Sequence, residues 1–129
     1  MGEIKFRAWD AKEKQMLEVN HLFNLDNEQP IEVWTNDYEG GYRFNPDKSE
    51  IMQYTGLDDI NGKPIYEDDI VKAYRTCKSD LITFANGSFG IAPDYWHSFE
   101  SFTDFYGKCE VIGNKFQNPE LLEVTDNEQ

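Results

Sequence analysis

Basic residues are scarce in this chain of 129 residues, which carries 12 Lys and Arg against 25 Asp and Glu for a net charge of −13. An acidic chain repels phosphate backbones and lacks the basic stripe whose counterion release drives nucleic-acid binding. We therefore predict no direct binding to DNA or RNA. The acidic excess leaves two interpretations open: a solubilising surface, or a surface that docks on a basic partner or imitates nucleic acid.

Cysteine and histidine are also rare, with two residues of each type. Neither Cys77 nor Cys109 belongs to a Cys-x-x-Cys pair, and His21 and His97 have no ligand partners nearby in the sequence. No zinc site with the usual spacing can be written from these residues. We interpret the cysteines as free, partly buried thiols and the histidines as ordinary surface or core-edge residues, and we expect no cofactor.

Long hydrophobic runs are missing. No apolar segment approaches the length of about 20 residues that a membrane-spanning helix needs. The first residues, Met-Gly-Glu-Ile-Lys-Phe, lack the apolar region of a signal peptide. We therefore expect a soluble, cytoplasmic protein with no membrane partner.

Sequence motifs of known catalytic sites are absent: there is no nucleophile elbow, P-loop, paired metal-binding histidine or glycine-rich cofactor loop. Three adjacent carboxylates, Glu67, Asp68 and Asp69, raise the question of a metal site. Consecutive side chains on an extended chain point to opposite faces, whereas calcium loops place their ligands at alternate positions. We predict instead that an aspartate here accepts backbone N–H bonds in a turn, and we predict no catalytic or metal-binding residue.

The residues that are abundant favour strands. Aromatic residues make up 15% of the chain and hydrophobic residues 39%, and a core rich in Phe, Tyr and Trp is typical of β structure. Alternation near the N-terminus predicts a strand with Ile4, Phe6 and Ala8 facing inward. A later segment predicts a strand with Ile31, Val33 and Thr35 on one face.

Turn signals punctuate the second half of the chain. Asn61-Gly62 and Asn86-Gly87 are the strongest hairpin dipeptides, and the second joins the apolar segments 81–85 and 88–91 into the clearest β-hairpin of the sequence. Gly56 suits a backbone conformation that a β-carbon would hinder. Residues 109–116 are predicted to form a closing strand with a kink or bulge at Gly113, and 118–122 to begin a short helix.

Aromatic side chains crowd between residues 92 and 107. Some of them recur every three residues, at 96, 99, 102 and 105, which favours a short helix that lays one face on the sheet. The alternative to core packing is a surface for a partner. The candidate partner-binding residues are Tyr95, Trp96, Phe99, Phe102 and Tyr106. A working surface is expected either there or on the acidic face of the N-terminal half.

Three ordered blocks of the sequence resemble the YopX family of small phage and prophage proteins. They are residues 4–10; residues 52–57 with Asn-Gly-Lys at 61–63 and Ile-Tyr-Glu at 65–67; and residues 110–114 with 118–122. The resemblance implies a mostly β protein from a mobile element and no catalytic residues. The family tends to have glycine where this chain has Asp68, and aspartate tolerates the left-handed backbone region better than most residues.

The predicted fold class is mainly β. We expect a single YopX-like domain over 1–129, with an N-terminal β-meander in 1–55 packed with a small SH3-like β-barrel in 56–129 and one or two short helices. Residues assigned to structural turns or motifs, rather than to a site, are Arg7, Trp9, Asp10, Gln53, Tyr54, Thr55, Gly56, Asn61, Gly62, Asp69, Asn86, Gly87 and Gly113.

Four hypotheses for function follow. The first is a non-enzymatic accessory or adaptor protein that binds a host or phage protein. The second is an acidic nucleic-acid mimic that blocks a host DNA-binding protein. The third is a small hydrolase-like enzyme whose carboxylates are assembled by folding, from among Asp10, Glu67, Asp68, Asp69 and Asp104. The fourth is a homo-oligomer built through strand edges and outward aromatics.

Overall fold

The computed structural model describes residues 4–24, 30–37, 39–73, 79–85, 88–91, 100–101 and 109–123. Within these ranges the chain is mainly β and includes a sheet curled into a half-barrel, which confirms the predicted fold class. The strands are β1 (Phe6–Asp10), β2 (Gln15–Glu18), β3 (His21–Phe23), β4 (Glu32–Thr35), β5 (Tyr42–Phe44), β6 (Ile51–Asp58), β7 (Pro64–Tyr66), β8 (Asp69–Ala73), β9 (Ser79–Ala85), β10 (Ser88–Ile91), β11 (Glu100–Ser101) and β12 (Cys109–Asn114). A 3-10 helix covers Lys48–Glu50 and a short α-helix, α1, covers Glu120–Glu123.

The chain divides into two compact units. The N-terminal unit is Ile4–Tyr54, and the C-terminal unit begins at Thr55. Strand β6 crosses the boundary, with residues 51–54 in the N-terminal unit and residues 55–58 in the C-terminal unit. That the whole chain is a single domain stays a prediction.

The N-terminal unit contains the hairpin β1–β2, which continues to β6, and a three-stranded sheet of order β3-β4-β5. Its core is formed by buried Ala8, Ile31 and Val33, with four partly buried residues packed against them: Val19, Leu22, Phe44 and Ile51. Full burial of a valine or isoleucine side chain contributes about 1.5–3 kcal/mol to the free energy of unfolding. The common face predicted for Ile31, Val33 and Thr35 is confirmed, because all three side chains are buried.

The inward orientation predicted for Ile4 is wrong. Ile4 is 81% exposed, whereas Ala8 is fully buried as predicted. Strand β1 begins only at Phe6, so Ile4 precedes the strand whose alternation was used to place it.

The C-terminal unit contains a five-stranded antiparallel sheet of order β11-β10-β9-β8-β12. The predicted hairpin is confirmed by the pairing of Ala85 with Ser88 at the ends of β9 and β10, while its turn residues Asn86 and Gly87 lie outside the described residues. The predicted bulge in β12 is also confirmed, because the register with β8 shifts between Val111 and Gly113.

The core of this unit holds Ile65, Val71, Ile82, Cys109 and Val111. Leu57 and Phe89 pack against it. Cys77 lies outside the described residues.

The short helix predicted from the aromatics at 96, 99, 102 and 105 is wrong at residues 100 and 101, which form strand β11; residues 96–99 and 102–105 lie outside the described residues. Glu100 and Ser101 of β11 pair antiparallel with Ile91 and Gly90 of β10. Edge pairing with an existing strand has taken precedence there over the three-residue recurrence of aromatics. Where a short helix was predicted near the C-terminus, α1 is found.

Nowhere in the described ranges is there a helix long and apolar enough to cross a membrane.

Candidate functional site

One face of the three-stranded sheet β3-β4-β5 presents five side chains away from the core. Because Ile31, Val33 and Thr35 face inward, the intervening Glu32 and Trp34 of β4 must face outward. The register sets His21 and Arg43 on either side of Trp34, and Phe23 beside Glu32. We call the side chains of His21, Phe23, Glu32, Trp34 and Arg43 the outer face.

The outer face is rich in exposed aromatic surface. Phe23 is 47% exposed and Trp34 37% exposed, although both are large apolar side chains. The His21 and Phe23 rings stack with their centroids 6.4 Å apart and their planes inclined by 15°. His21, Phe23, Glu32 and Trp34 line a shallow, mainly apolar groove of about 390 Å³.

The charged groups of the outer face are paired with each other. Arg43 Nη1 donates to Glu32 Oε2 over 3.3 Å, and the guanidinium carbon of Arg43 lies 5.2 Å from the centroid of the Trp34 ring. A cation over the face of Trp is attracted by the ring quadrupole. The Arg43 side chain is 64% exposed and that of Glu32 29%.

Asparagine side chains and backbone bonds hold the strands of the outer face in register. The Asn20 N–H donates to the carbonyl of Trp34 over 2.8 Å, and the Asn20 side-chain oxygen accepts from the N–H of Asn36 over 2.7 Å. At the other end of β3, Asn24 has a φ of 64° and its side-chain amide donates to the Pro30 carbonyl over 3.2 Å. These contacts fix β3 beside β4 and so place the two exposed rings together.

The sequence did not single out the outer face. His21 was interpreted as an ordinary histidine, and Phe23, Glu32, Trp34 and Arg43 were given no site role. The one usable signal was the alternation in β4, which places Trp34 opposite the buried Val33. An exposed Trp in the middle of a strand is unusual enough to mark a surface of interest.

The aromatic segment proposed from the sequence cannot be compared with this face. Its candidate partner-binding residues, Tyr95, Trp96, Phe99, Phe102 and Tyr106, lie outside the described residues. Their role stays a prediction.

Two of the sequence-assigned turn residues are buried aspartates. Asp10 Oδ1 accepts from the N–H groups of Lys12 and Glu13 over 3.1 and 3.3 Å, and Asp10 Oδ2 accepts from the hydroxyl of Tyr42 over 2.8 Å. Asp69 Oδ2 accepts from the N–H of Tyr66 over 2.8 Å. Both carboxylates thus brace a turn, as is common for aspartate.

The neighbouring Asp68 takes the left-handed conformation, with a φ of 66°. This is the residue at which the YopX pattern tends to have glycine, and the turn is kept with aspartate in its place. The Asp68 carbonyl accepts from the N–H of Lys115 over 3.0 Å, and its carboxylate lies 3.6 Å from the Lys115 ammonium group.

The residues assigned to the middle of the chain lie in or beside β6. Thr55 Oγ1 donates to the Ile65 carbonyl over 2.8 Å, which links β6 to β7. Gly56 and Gly62 have φ values of 88° and 84°, which L side chains rarely adopt. Asn61 donates through its N–H to Asp59 Oδ1 over 2.8 Å.

The remaining assigned residues of the N-terminal unit lie on β1 and β6. Gln53 is the register partner of Phe6, and Arg7 Nε contacts Met52 Sδ at 3.4 Å. The N–H of Tyr54 donates to the Lys5 carbonyl over 2.9 Å, and the Lys5 ammonium group makes a cation–π contact with the Tyr54 ring. Trp9, the register partner of Met16, is partly buried.

Asp59 was not predicted, yet both oxygens of its carboxylate accept hydrogen bonds from backbone N–H groups. Asp59 Oδ1 accepts from the N–H groups of Asn61 and Lys63 over 2.8 and 2.9 Å, and Oδ2 accepts from the N–H of Val111 over 2.9 Å. Burial alone would raise the pKa of Asp59, but the hydrogen bonds from Val111, Lys63 and Asn61 and the Lys63 charge outweigh it and leave the pKa lowered. Asp59 therefore ties the β6–β7 turn to β12.

Cys109 lies close to this carboxylate and is fully buried. Burial, assisted by the negative charge of Asp59, raises the pKa of the Cys109 thiol to about 11. A thiol in such surroundings is a packing group and not a nucleophile.

Among the residues that the structure describes, no group of three or more His, Cys, Asp or Glu side chains is arranged to hold a metal ion.

These features define a small, mainly β protein built from antiparallel hairpins, with carboxylates that brace its turns and with an exposed aromatic sheet face. A similar chain of known structure is described as "Crystal structure of protein EF1440 from Enterococcus faecalis". It is 33% identical to this chain, covers 95% of this chain and 99% of its own length, and superposes with a TM-score of 0.65.

The family model of the YopX protein matches residues 5–123. The chain belongs to the YopX family, as the ordered sequence blocks predicted. A comparison with curated proteins found no significant match.

Proposed function

We propose that this YopX-family chain is a phage- or prophage-encoded accessory protein without catalytic activity, and that it binds a partner protein through the outer face. The observation that carries the proposal is the pair of exposed rings, Phe23 and Trp34, which lie diagonally on the neighbouring strands β3 and β4 and line one shallow groove. Exposed aromatic patches on small proteins commonly mark interaction sites.

The composition of the outer face supports binding to a protein. Trp and Arg are enriched both at protein–protein interfaces and among the residues that dominate binding energy. Trp34 lies at the centre of its row, with His21 on one side and Arg43 on the other. The strands beneath are held by cross-strand hydrogen bonds and by a buried inner face, so the rings are positioned before a partner arrives.

The use made of the carboxylates supports a non-enzymatic role. Asp10, Asp59 and Asp69 each accept hydrogen bonds from backbone N–H groups that define a turn. A carboxylate so engaged is occupied by the backbone of its own turn, whereas a general acid–base group must be free to exchange a proton with a substrate. The net charge of −13 argues further for a protein partner over a nucleic acid.

The proposal is tested by affinity capture with the full-length wild-type chain and two variants, from a lysate of Enterococcus faecalis, the organism of the similar chain of known structure. Trp34→Ala removes the central ring of the outer face. Phe84→Ala is the matched control, because Phe84 is a 54% exposed aromatic on strand β9 of the other unit.

We expect a protein that the wild-type chain and Phe84→Ala both retain and that Trp34→Ala loses by at least tenfold. Both variants should keep the wild-type circular dichroism spectrum. If Trp34→Ala retains every captured protein at the wild-type level, the outer face is not the binding surface.

A further inference from the structure

The outer face already holds a guanidinium group, and it is supplied by the chain itself. Arg43 places its guanidinium over the Trp34 ring at 5.2 Å and against Glu32 Oε2 at 3.3 Å. An aromatic ring together with a carboxylate forms a site that recognises a cation through both stacking and charge. Arg43 therefore shows which chemical group this part of the surface suits.

The internal arginine is held weakly enough to be displaced. Its side chain is 64% exposed, and surface ion pairs contribute little because water and salt screen them. A cation from a partner that buries Glu32 and Trp34 would remove that screening and gain more from the same contacts.

Charge complementarity selects a basic partner. The chain carries a net charge of −13, and Ile4–Tyr54 contains six Lys and Arg against ten Asp and Glu. A field of this sign attracts basic proteins and accelerates their association at low salt. It opposes the pairing of two identical acidic copies through the same face.

The spacing of the outer face suggests how such a segment would lie. The outer face has two cross-strand rows: one contains His21, Trp34 and Arg43, and the other contains Phe23 and Glu32. The two rows are two residues apart along β4. Side chains two residues apart in an extended peptide are separated by about 6.6 Å, which is also the spacing between these rows. An arginine beside Trp34 would thus place an apolar side chain two positions along the peptide beside Phe23.

From these observations we propose that the outer face binds an extended, arginine-containing segment of a basic partner protein, whose guanidinium displaces that of Arg43 from Trp34 and Glu32. This inference rests on the proposed function and adds the chemistry of the partner.

The test is an NMR titration of the full-length ¹⁵N-labelled chain with the capped peptide Gly-Arg-Ser-Val-Gly. The same peptide with citrulline in place of arginine is the control, because citrulline keeps the shape and loses the charge. We expect shifts at the Trp34 indole N–H and in β3 and β4. The dissociation constant of the citrulline peptide should be at least fivefold larger than that of the arginine peptide.

Three variants of the chain separate this site from general attraction to an acidic surface. Glu32→Gln should weaken binding of the arginine peptide at least fivefold, while the exposed matched control Glu13→Gln leaves it within twofold. Arg43→Ala should strengthen binding about two- to fivefold, since it removes the internal competitor.

Equal binding of the arginine and citrulline peptides, weaker binding by Arg43→Ala, or shifts spread over both units and unchanged in Glu32→Gln would each overturn the inference. Weaker binding by Arg43→Ala would mean that Arg43 contributes to the binding site and does not compete for it. In any of these cases the proposed function survives if Trp34→Ala still loses a captured partner, so the two failures are distinguishable.

Discussion

At the scale of single residues, Asp59 shows how much of the fold can depend on one carboxylate. It is 6% exposed, and it accepts three hydrogen bonds from backbone N–H groups. Two of the donors lie within four residues of it, but Val111 is 52 residues away. The sequence placed Asn61-Gly62 in a turn, yet nothing in it indicated that the turn is anchored to β12.

Removal of the Asp59 carboxylate should be costly. We predict that Asp59→Ala lowers the free energy of unfolding by about 3 kcal/mol, because buried N–H groups lose a charged acceptor. Chemical denaturation followed by circular dichroism measures the change. The exposed control Glu13→Ala should stay within about 0.5 kcal/mol of wild type. A loss below about 1 kcal/mol for Asp59→Ala would mean that water replaces the carboxylate.

The lowered pKa of Asp59 predicts an acid-labile contribution to stability. Its value in the folded state lies below the ordinary 3.8, so the unfolded state binds the proton more readily. The contribution is therefore present above pH 3.8 and is lost as the pH falls through the folded-state value. Unfolding free energies measured between pH 2 and 6 should show this acid-dependent component in wild type and not in Asp59→Asn. Identical pH profiles for the two proteins would contradict the assignment.

Cys109 should be chemically inert in the folded protein. Full burial and a pKa of about 11 leave almost no thiolate at neutral pH. We expect iodoacetamide at pH 7.5 to alkylate Cys109 at least 100-fold more slowly in the native protein than in denaturant, as measured by peptide mass spectrometry. Comparable rates in the two states would show that β12 opens readily.

At the scale of elements, the bulge in strand β12 was predicted correctly, but the contact that requires glycine there was not. A glycine inside an apolar strand pattern indicated the bulge. The reason that only glycine fits lies in the turn after β12: a β-carbon on Gly113 would lie 2.6 Å from Asn118 Oδ1 and 2.9 Å from Asn118 Cβ. Asn118 Oδ1 in turn accepts from the N–H of Asn114 over 3.2 Å.

Gly113→Ala should therefore destabilise the protein by about 1–3 kcal/mol through overpacking. Asn118→Gly removes the colliding atoms, so Gly113→Ala should cost little more in that background. Denaturation of the two single variants and the double variant completes the cycle. Additive losses would place the strain elsewhere than at Asn118.

The elements also show where sequence patterns reach their limit. Alternation correctly oriented β4, and the Asn-Gly dipeptide correctly located the β9–β10 hairpin, because both signals are local. Strand β11 exists through pairing with β10, in which Ile91 partners Glu100, whereas the local recurrence of aromatics pointed to a helix. The outer face depends on the registers of three strands, so its residues could not be grouped from the sequence.

At the scale of the whole molecule, composition predicted the mainly β fold, and the ordered blocks predicted the YopX family. Neither predicted the side chains that meet on the outer face. The aromatic residues were expected to act near the C-terminal end, at 95–106, and the acidic face of the N-terminal half was the alternative. The outer face lies in the N-terminal unit, and its chemistry is aromatic as well as charged.

The proposed function requires that a protein partner contacts Phe23 and Trp34. Photo-crosslinking in cells tests it directly. The photoreactive residue p-benzoylphenylalanine replaces Phe23 in one full-length variant and Phe84 in the other. We predict a discrete covalent adduct with one protein from position 23 and none of that mass from position 84, with the first adduct lost when Trp34→Ala is added. The same adducts from both positions, or an adduct from position 23 that Trp34→Ala leaves unchanged, would contradict the claim.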